Sequence, residues 1–589
     1  MYIDEPTGAA DETVAWGSDV AAQMLRRFGI RYVSLNPGAS YRGLHDSLVN
    51  HLGNRDPGII LCLHEDHAVA IAHGYAKVTG EPMACVLHSN VGLMHGMMSL
   101  YNAWCDRVPM FVLGATGPLD AAERRPWIDW LHTTRDQGAL VRSFIKWDDQ
   151  PSSAEALVES MCRANMLTRT EPTAPVYVCL DAGLQEARLA SVPSFPDLGR
   201  FAPPMPARPA RSAVSEACAL LSRAERPLMM IGRGRRTPDA WNARIRLAER
   251  LGACVVTDLR TASMFPTDHP AHVAPPVSRV GKAVRELIAA ADVILALGWV
   301  DLAGDIRSGD GDLPRARIVS AGQDHVLHNG FNMDYQALPP IDVNFACPPD
   351  EAVVDLLEEL GPGRRDPWRT REAEPPAEIG NSGPITLAHV ATTLRSVFED
   401  PDRVSFAALC RGWPSNLWPL RDPVAYLGKD GGAGIGSGPG LSIGAALALQ
   451  HRDRFTVAVL GDGDFAMGCN ALWTAVHHRI PLMILINNNR SYFNDELHQE
   501  TVARRRGRDP GNRWIGQALR EPDLDLAKLA EAQGAVGIGP VRAPGDLRAA
   551  LEEGAAVLRG GGVSVIDIHV PPGQERHGAA SLAERKTGT

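Results

Sequence analysis

The sequence predicts an α/β protein made of three doubly wound, parallel-sheet domains. Three observations carry that reading. Short apolar runs rich in Val, Ile and Leu alternate with helix-length amphipathic stretches along the chain. Such runs suit strands covered on both faces, and their spacing leaves room for crossover helices. Two Pro-rich breaks, about 191–210 and 361–384, show neither helical nor strand periodicity and read as linkers. They leave three segments of ~150–190 residues each, an ordinary domain size. The residues with chemistry to offer sit directly after strands, at the sheet edge where open α/β folds collect ligands.

In chain order, the first segment should place strands at YVSLNPG (32–38), IILCLHE (59–65), MACVLHS (83–89), MFVLGAT (110–116) and PVYVCLD (175–181). The second should place them at PLMMIGRG (227–234), ACVVTDL (253–259), VILALG (293–298) and ARIVSAG (316–322). The third should place them at VSFAALC (404–410), FTVAVLGDGD (455–464), PLMILINNN (481–489) and VSVIDIHV (563–570). The polar stretch after about Pro571 reads as a tail or lid.

Bulk properties narrow the function. The net charge of −10 and the lack of a long basic run argue against nucleic acid. Ten scattered cysteines without a CxxC pair suggest neither a zinc knuckle nor a disulfide framework, and fit a reducing cytoplasm. The acidic N-terminal stretch has no secretory character, and no apolar run approaches the ~18 residues of a membrane span.

The most informative segment is Val459–Ser491. A strand runs into Gly461-Asp462-Gly463, a helix follows, and a second strand ends in Asn487-Asn488-Asn489. Parallel strands joined by one helix bring both loops to one sheet edge, where the Asp462 carboxylate and an Asn amide oxygen converge. Those hard oxygens suit Mg²⁺ carrying phosphates, and Gly461 and Gly463 allow close backbone approach to a diphosphate. Elsewhere, Glu65 opens a helix with an apolar face through Ala68, Ile71, Ala72 and Tyr75. His88 ends a strand and has the proton affinity for transfer near neutral pH. Seven glycines between residues 429 and 449 imply close approach to a ligand or a neighbouring chain. Gly232-Arg233-Gly234 is too weak a pattern to assign a nucleotide.

Together these motifs resemble the thiamine-diphosphate (ThDP) enzymes, in the branch of decarboxylases and acetolactate synthases. GDG…NN resembles that family's metal signature, and HEDHAVAIAHGYAKVTG resembles its glutamate helix. LHSNVGLMHGMMSLYNAW is most similar to benzoylformate decarboxylases. The resemblance implies a pyrimidine-binding domain (11–190), a central domain (207–362), a diphosphate- and Mg²⁺-binding domain (384–572) and a tail (573–589). By it, Asp462, Asn489 and Ser491 (through its carbonyl) ligate Mg²⁺, and Gly461, Gly463 and Asp464 lie along the diphosphate. Ile435 props the folded cofactor, and a carbonyl near Ala433 meets the aminopyrimidine. Glu65 sets the imino tautomer of that ring, and His88 and Asp495 handle protons. The substrate-carboxylate serine of benzoylformate decarboxylases falls on Ala39, with Ser40 adjacent as a substitute. His45, His95, Trp413, Phe493 and Asn494 are candidate lining residues.

The implied activity is ThDP- and Mg²⁺-dependent decarboxylation or carboligation of a 2-keto acid through a thiazolium enamine. Alternatives left open are an acetolactate-synthase-like ligase with FAD, a ThDP lyase or hydrolase cleaving another C–C bond, and a non-catalytic regulatory paralogue. FAD in the middle segment is not the favoured reading. The resemblance further implies a dimer or tetramer with the active site between chains.

Overall fold

The computed structural model describes residues 1, 3–276, 280–307, 313–323, 338–371, 380 and 382–573. The expected tail lies outside the described residues from position 574 onward.

Three parallel sheets form in succession. The first contains β1 (Tyr32–Leu35), β2 (Gly58–Leu61), β3 (Met83–Leu87), β4 (Met110–Thr116), β5 (Trp147–Asp149) and β6 (Pro175–Asp181), in the order β2-β1-β3-β4-β6-β5. The second contains β7 (Pro227–Ile231), β8 (Cys254–Thr257), β9 (Val293–Leu297), β10 (Arg317–Ala321) and β11 (Val343–Phe345), in the order β11-β10-β9-β7-β8. The third contains β12 (Val404–Ala408), β13 (Phe455–Gly461), β14 (Leu482–Asn488), β15 (Val536–Val541) and β16 (Val563–His569), in the order β12-β13-β14-β16-β15.

Each sheet is buried on both faces, as continuously apolar strands require. In the first, Cys85 and Val112 point into one core while their neighbours Val86 and Phe111 point into another. The second sheet divides Met229 from Leu228, and the third divides Ile484 from Leu485, in the same way. Every expected strand forms. The three strands the sequence did not disclose, β5, β11 and β15, are all edge strands. Trp147–Asp149 is half-buried throughout, and VGIGPV mixes exposed, half-buried and buried positions, so neither has the apolar continuity of a central strand.

The first and third segments share one core, in which Ile60, Ala72 and Leu87 pack with Ile443, Leu460 and Ile484. The contact that joins them is a crossing of two helices, Glu65–Thr79 and Gly438–Leu449. A Cβ at Gly74 would stand 2.0 Å from the Leu441 carbonyl oxygen, and one at Gly444 would stand 1.9 Å from that of Ile71. The two backbones therefore touch, which only glycine permits. On the edge of the first sheet, the Leu61 N–H donates to His478 Nε2 (2.9 Å) and the Leu61 carbonyl accepts from Thr474 Oγ1 (2.9 Å). That pairing covers part of an otherwise open strand edge.

The Pro-rich segment after Gly361 is not wholly free of the middle sheet. The Trp368 indole donates to the Pro227 carbonyl (2.8 Å), and the Arg365 N–H donates to the Glu249 carbonyl (2.7 Å).

Candidate active site

The register of the third sheet places the first half of the site. Gly461 stands beside Asn487 across β13 and β14, so both strands reach the carboxyl edge together. The turn is tighter than the sequence suggests, because a helix begins at Asp462 itself and a second helix, Ala471–His477, precedes β14. The Ser491 N–H lies 3.2 Å from Asp462 Oδ2 and 2.9 Å from Asn489 Oδ1, which brings the two side-chain oxygens to one point. Asp462 Oδ1 accepts from the Gly463 N–H (2.9 Å).

Two of the three asparagines divide the work. Asn488 donates to Asp567 Oδ1 (2.9 Å) and ties β14 to β16, whereas Asn489 faces Asp462. Burial pushes the Asp462 carboxyl up to about 6, against hydrogen bonds from backbone N–H groups. A buried carboxylate disfavoured as an anion, beside an amide oxygen, fits a hard divalent cation that would restore its charge. Nothing lies within 4 Å of a Cβ built on Gly461, whereas one on Gly463 would strike the Tyr492 ring at 2.4 Å. Gly461 thus borders open space, and Gly463 is kept small by protein packing.

Asp464 and Asp495 have different surroundings. Asp464 turns to the glycine-rich loop, where Oδ1 accepts from the Gly436 N–H (2.6 Å) and the Gly438 N–H (3.3 Å). Its side chain thereby shapes the segment that carries Ile435. Asp495 is exposed in the first turn of helix Phe493–Arg505. Its neighbour Glu496 is the buried acid, accepting from the Ser491 hydroxyl and paired with Arg513 Nε at 3.1 Å. One residue of helical rotation separates an inward from a solvated carboxylate, and the sequence around them is too polar to show which.

The glycine-rich loop approaches its own chain. Cβ atoms built on Gly434, Gly432 and Gly431 would meet Met98 (2.2 Å), Asn102 (2.5 Å) and Asp106 (2.6 Å), one stripe along and just beyond helix Ser89–Cys105. Ala433 adopts φ +54° there, and Ile435 projects with 48% of its surface exposed.

The second half of the site lies at the carboxyl edge of the first sheet. His64 caps helix Glu65–Thr79, its Nδ1 accepting from the Asp66 N–H (3.1 Å). Glu65 is 7% exposed, and its Oε2 lies 3.1 Å from His95 Nδ1. His95 in turn stacks on His64 at 4.9 Å. The donor atoms of His64, Glu65 and His95 lie within 4.8 Å of one another, close enough to suggest a metal. The His64 ring argues otherwise: with Nδ1 accepting, its neutral tautomer carries the proton on Nε2, leaving no lone pair there for a cation.

His88 sits between two glycines. A Cβ on Gly38, in the Asn36-Pro37-Gly38 turn, would lie 2.4 Å from the His88 ring, and one on Gly92 would lie 3.2 Å from His88 Cβ and 3.0 Å from Glu65 Oε1. Ser40 Oγ lies 2.8 Å from His88 Nδ1, and the His132 ring meets that of His88 edge-on at 4.8 Å. Burial, His132 and Arg125 lower the His88 pKa, partly opposed by Glu65. His132 had no signal in the sequence, since its loop has no periodicity and carries no motif. Among the other candidate lining residues, His95 joins Glu65, whereas Trp413 is buried against Phe406 at 5.3 Å in the core.

In the middle domain a crevice of about 590 Å³ lies beyond β7, β9 and β10, lined by Arg233, Arg235, Gly298 and Gly322 among others. The Gly232, Arg233 and Arg235 N–H groups are already bonded to Leu297, Gly298 and Asp350. The Gly-Arg-Gly turn is therefore shaped by packing and reserves none of these three donors for a dinucleotide.

The three-domain order matches one family of known proteins. Residues 15–140 match the thiamine pyrophosphate enzyme N-terminal TPP binding domain, 214–331 the central domain and 408–568 the C-terminal TPP binding domain. The chain is 25% identical to a benzoylformate decarboxylase of Pseudomonas aeruginosa over 547 residues, covering 87% of this chain and 91% of that protein. It is 24% identical to a "probable acetolactate synthase large subunit" of Methanocaldococcus jannaschii, covering 91% and 89% respectively. Its fold is similar to that of the 4-hydroxybenzoylformate decarboxylase of Rhodococcus jostii RHA1, with a TM-score of 0.76, 22% identity and coverage of 95% and 100%. With three domain matches in family order over a fold of three parallel sheets, this chain belongs to the thiamine pyrophosphate (ThDP) enzymes, in the group that includes the decarboxylases and acetolactate synthases.

Proposed function

We propose that this enzyme uses ThDP and Mg²⁺ to decarboxylate a 2-keto acid, releasing an aldehyde or joining the remaining fragment to an acceptor carbonyl. The observation that carries this reading is the meeting of Asp462 and Asn489 at the Ser491 N–H, with open space over Gly461. Asp462, Asn489 and the Ser491 carbonyl would hold the metal. Bound ThDP supplies a nucleophilic carbon and an electron sink for the pair released when the carboxylate departs. Ile435 would support the folded cofactor, the Ala433 carbonyl would face its aminopyrimidine, and the Glu65 carboxyl would hold a proton for that ring. The His95 contact and the nearness of Gly92 hold the Glu65 carboxyl in one place for that role. His88 faces the reacting carbonyl.

The site is completed between two protomers. Apolar side chains near both halves are exposed in the single chain: Leu63, Met94 and Met98 from the first segment, and Ile435 and Met467 from the third. A second copy of the chain would cover them. All ten cysteines are unpaired, which fits a reducing cytoplasm. No described helix is long and apolar enough to cross a membrane.

The test is a screen of 2-keto acids for CO₂ release with ThDP and Mg²⁺, with and without added aldehydes. Release from at least one acid that disappears on chelation supports the reading. Binding of ThDP that is indifferent to Mg²⁺, or C–C cleavage confined to substrates without a 2-keto acid, overturns it. A ligated product with a yellow chromophore would favour the acetolactate-synthase-like alternative with FAD.

A further inference from the structure

We infer that Ser40 is a positioning residue that locks His88 as a neutral imidazole with its proton on Nε2, so that His88 polarises the substrate carbonyl without protonating it. The inference rests on the proposed function for its catalytic meaning, but its structural content stands alone.

Two groups of Ser40 address one nitrogen. The Ser40 N–H lies 3.4 Å from His88 Nδ1 and the Ser40 hydroxyl lies 2.8 Å from it. A backbone N–H can only donate, so a proton on Nδ1 would face another proton. The hydroxyl is oriented as well, because its oxygen accepts from the Ser89 N–H (3.1 Å), which favours turning its own proton toward the ring. The N–H contact therefore requires a lone pair on Nδ1, the hydroxyl can donate to that same lone pair, and in a neutral ring the proton then resides on Nε2. No partner for Nε2 is found among the described residues.

The same N–H contact opposes the imidazolium, which would carry a proton on each nitrogen. The other groups facing the ring divide as follows. His132 and Arg125, from the 118–135 segment, disfavour a positive charge, and Glu65, from the neighbouring helix, favours one. A Cβ on Gly38 would strike the ring and one on Gly92 would stand 3.2 Å from His88 Cβ, so both glycines leave space for the ring where it lies. A neutral Nε2–H can donate a hydrogen bond to an oxygen that gains charge, and the proton stays on nitrogen throughout. This differs from the acid/base role expected from the sequence. It also removes Ser40 from the substrate-carboxylate role, since Ser40 is 4% exposed with its hydroxyl spent on His88 and Ser89.

The test uses the full-length enzyme labelled with ¹⁵N-histidine, with His88→Asn identifying the His88 signals by difference. Wild type should show the Nε2–H tautomer and no titration of His88 between pH 5.5 and 8. Ser40→Ala should give a mixed tautomer that titrates in that range, and Ser40→Thr, which keeps the hydroxyl, should restore the wild-type pattern. In turnover, Ser40→Ala should lower kcat by about 10- to 100-fold, leave KM within a few-fold, and add an inflection near the ordinary histidine pKa to the pH–rate profile. A wild-type His88 protonated on Nδ1, or an Ser40→Ala signal identical to wild type, overturns the inference. So does an Ser40→Ala enzyme with raised KM and unchanged kcat, which would return Ser40 to substrate binding. If no 2-keto acid is turned over, the proposed function fails, while the NMR result still decides the tautomer.

Discussion

Replacing Asp462 by Asn should make the cofactor-free protein more stable while abolishing its Mg²⁺-dependent ThDP binding. Burial raises the Asp462 pKa from 3.8 to about 6. Ionising it in the folded chain therefore carries a penalty of about 3 kcal/mol, from roughly two units at ~1.4 kcal/mol each. The sign follows from the raised value. The penalty is absent below the unfolded pKa, near pH 4, and complete above the folded pKa, near pH 6. An amide carries no charge and avoids the penalty, but it loses one acceptor oxygen of the pair that now serves Gly463 and Ser491, at about 1 kcal/mol. The net gain is about 2 kcal/mol at pH 8, which should raise Tm by a few degrees for a domain of this size. Thermal unfolding of both proteins without cofactor, at pH 8 and pH 4, measures it. The advantage should appear at pH 8 and vanish at pH 4. A variant less stable at pH 8, or one that still binds ThDP with Mg²⁺, would refute the view of Asp462 as a buried anion awaiting a cation.

Four further outcomes follow from the same geometry. Gly92→Ala puts a methyl 3.0 Å from Glu65 Oε1 and 3.2 Å from His88 Cβ, so kcat should fall by about 100-fold with the far-UV spectrum unchanged. Gly74→Ala drives a Cβ to 2.0 Å from the Leu441 carbonyl and should destabilise the joined first and third domains by at least ~1–3 kcal/mol in urea unfolding. Asp495→Ala should leave kcat within about two-fold, whereas Glu496→Ala strips Arg513 and the Ser491 hydroxyl of a buried partner and should weaken ThDP binding in calorimetry by about ten-fold.

Much of this was legible before the structure. Central strands announce themselves because burial on two faces leaves no polar alternation, and all thirteen expected strands form. β5, β11 and β15 were silent because an edge strand needs less apolar surface, and β15 carries glycines and a proline besides. The Asp462 and Asn489 pair could be read because the strand–helix–strand spacing fixes where both loops emerge. The contacts of Asp464, Ser40 and His132 could not, because each depends on which way one side chain turns or on a loop with no periodicity. The glycines show the same limit. The sequence gives their number between residues 429 and 449, but only the fold shows that Met98, Asn102 and Asp106 account for three of them.

The central claim is that Glu65 activates ThDP held at Asp462 and Asn489. Exchange of the ThDP C2 proton for deuterium, followed by acid quench and NMR in the presence of Mg²⁺, tests it most directly. Exchange should be fast on the wild-type enzyme and slower by at least about 100-fold on Glu65→Gln. Equal rates on the two proteins, with ThDP bound to both, would contradict it.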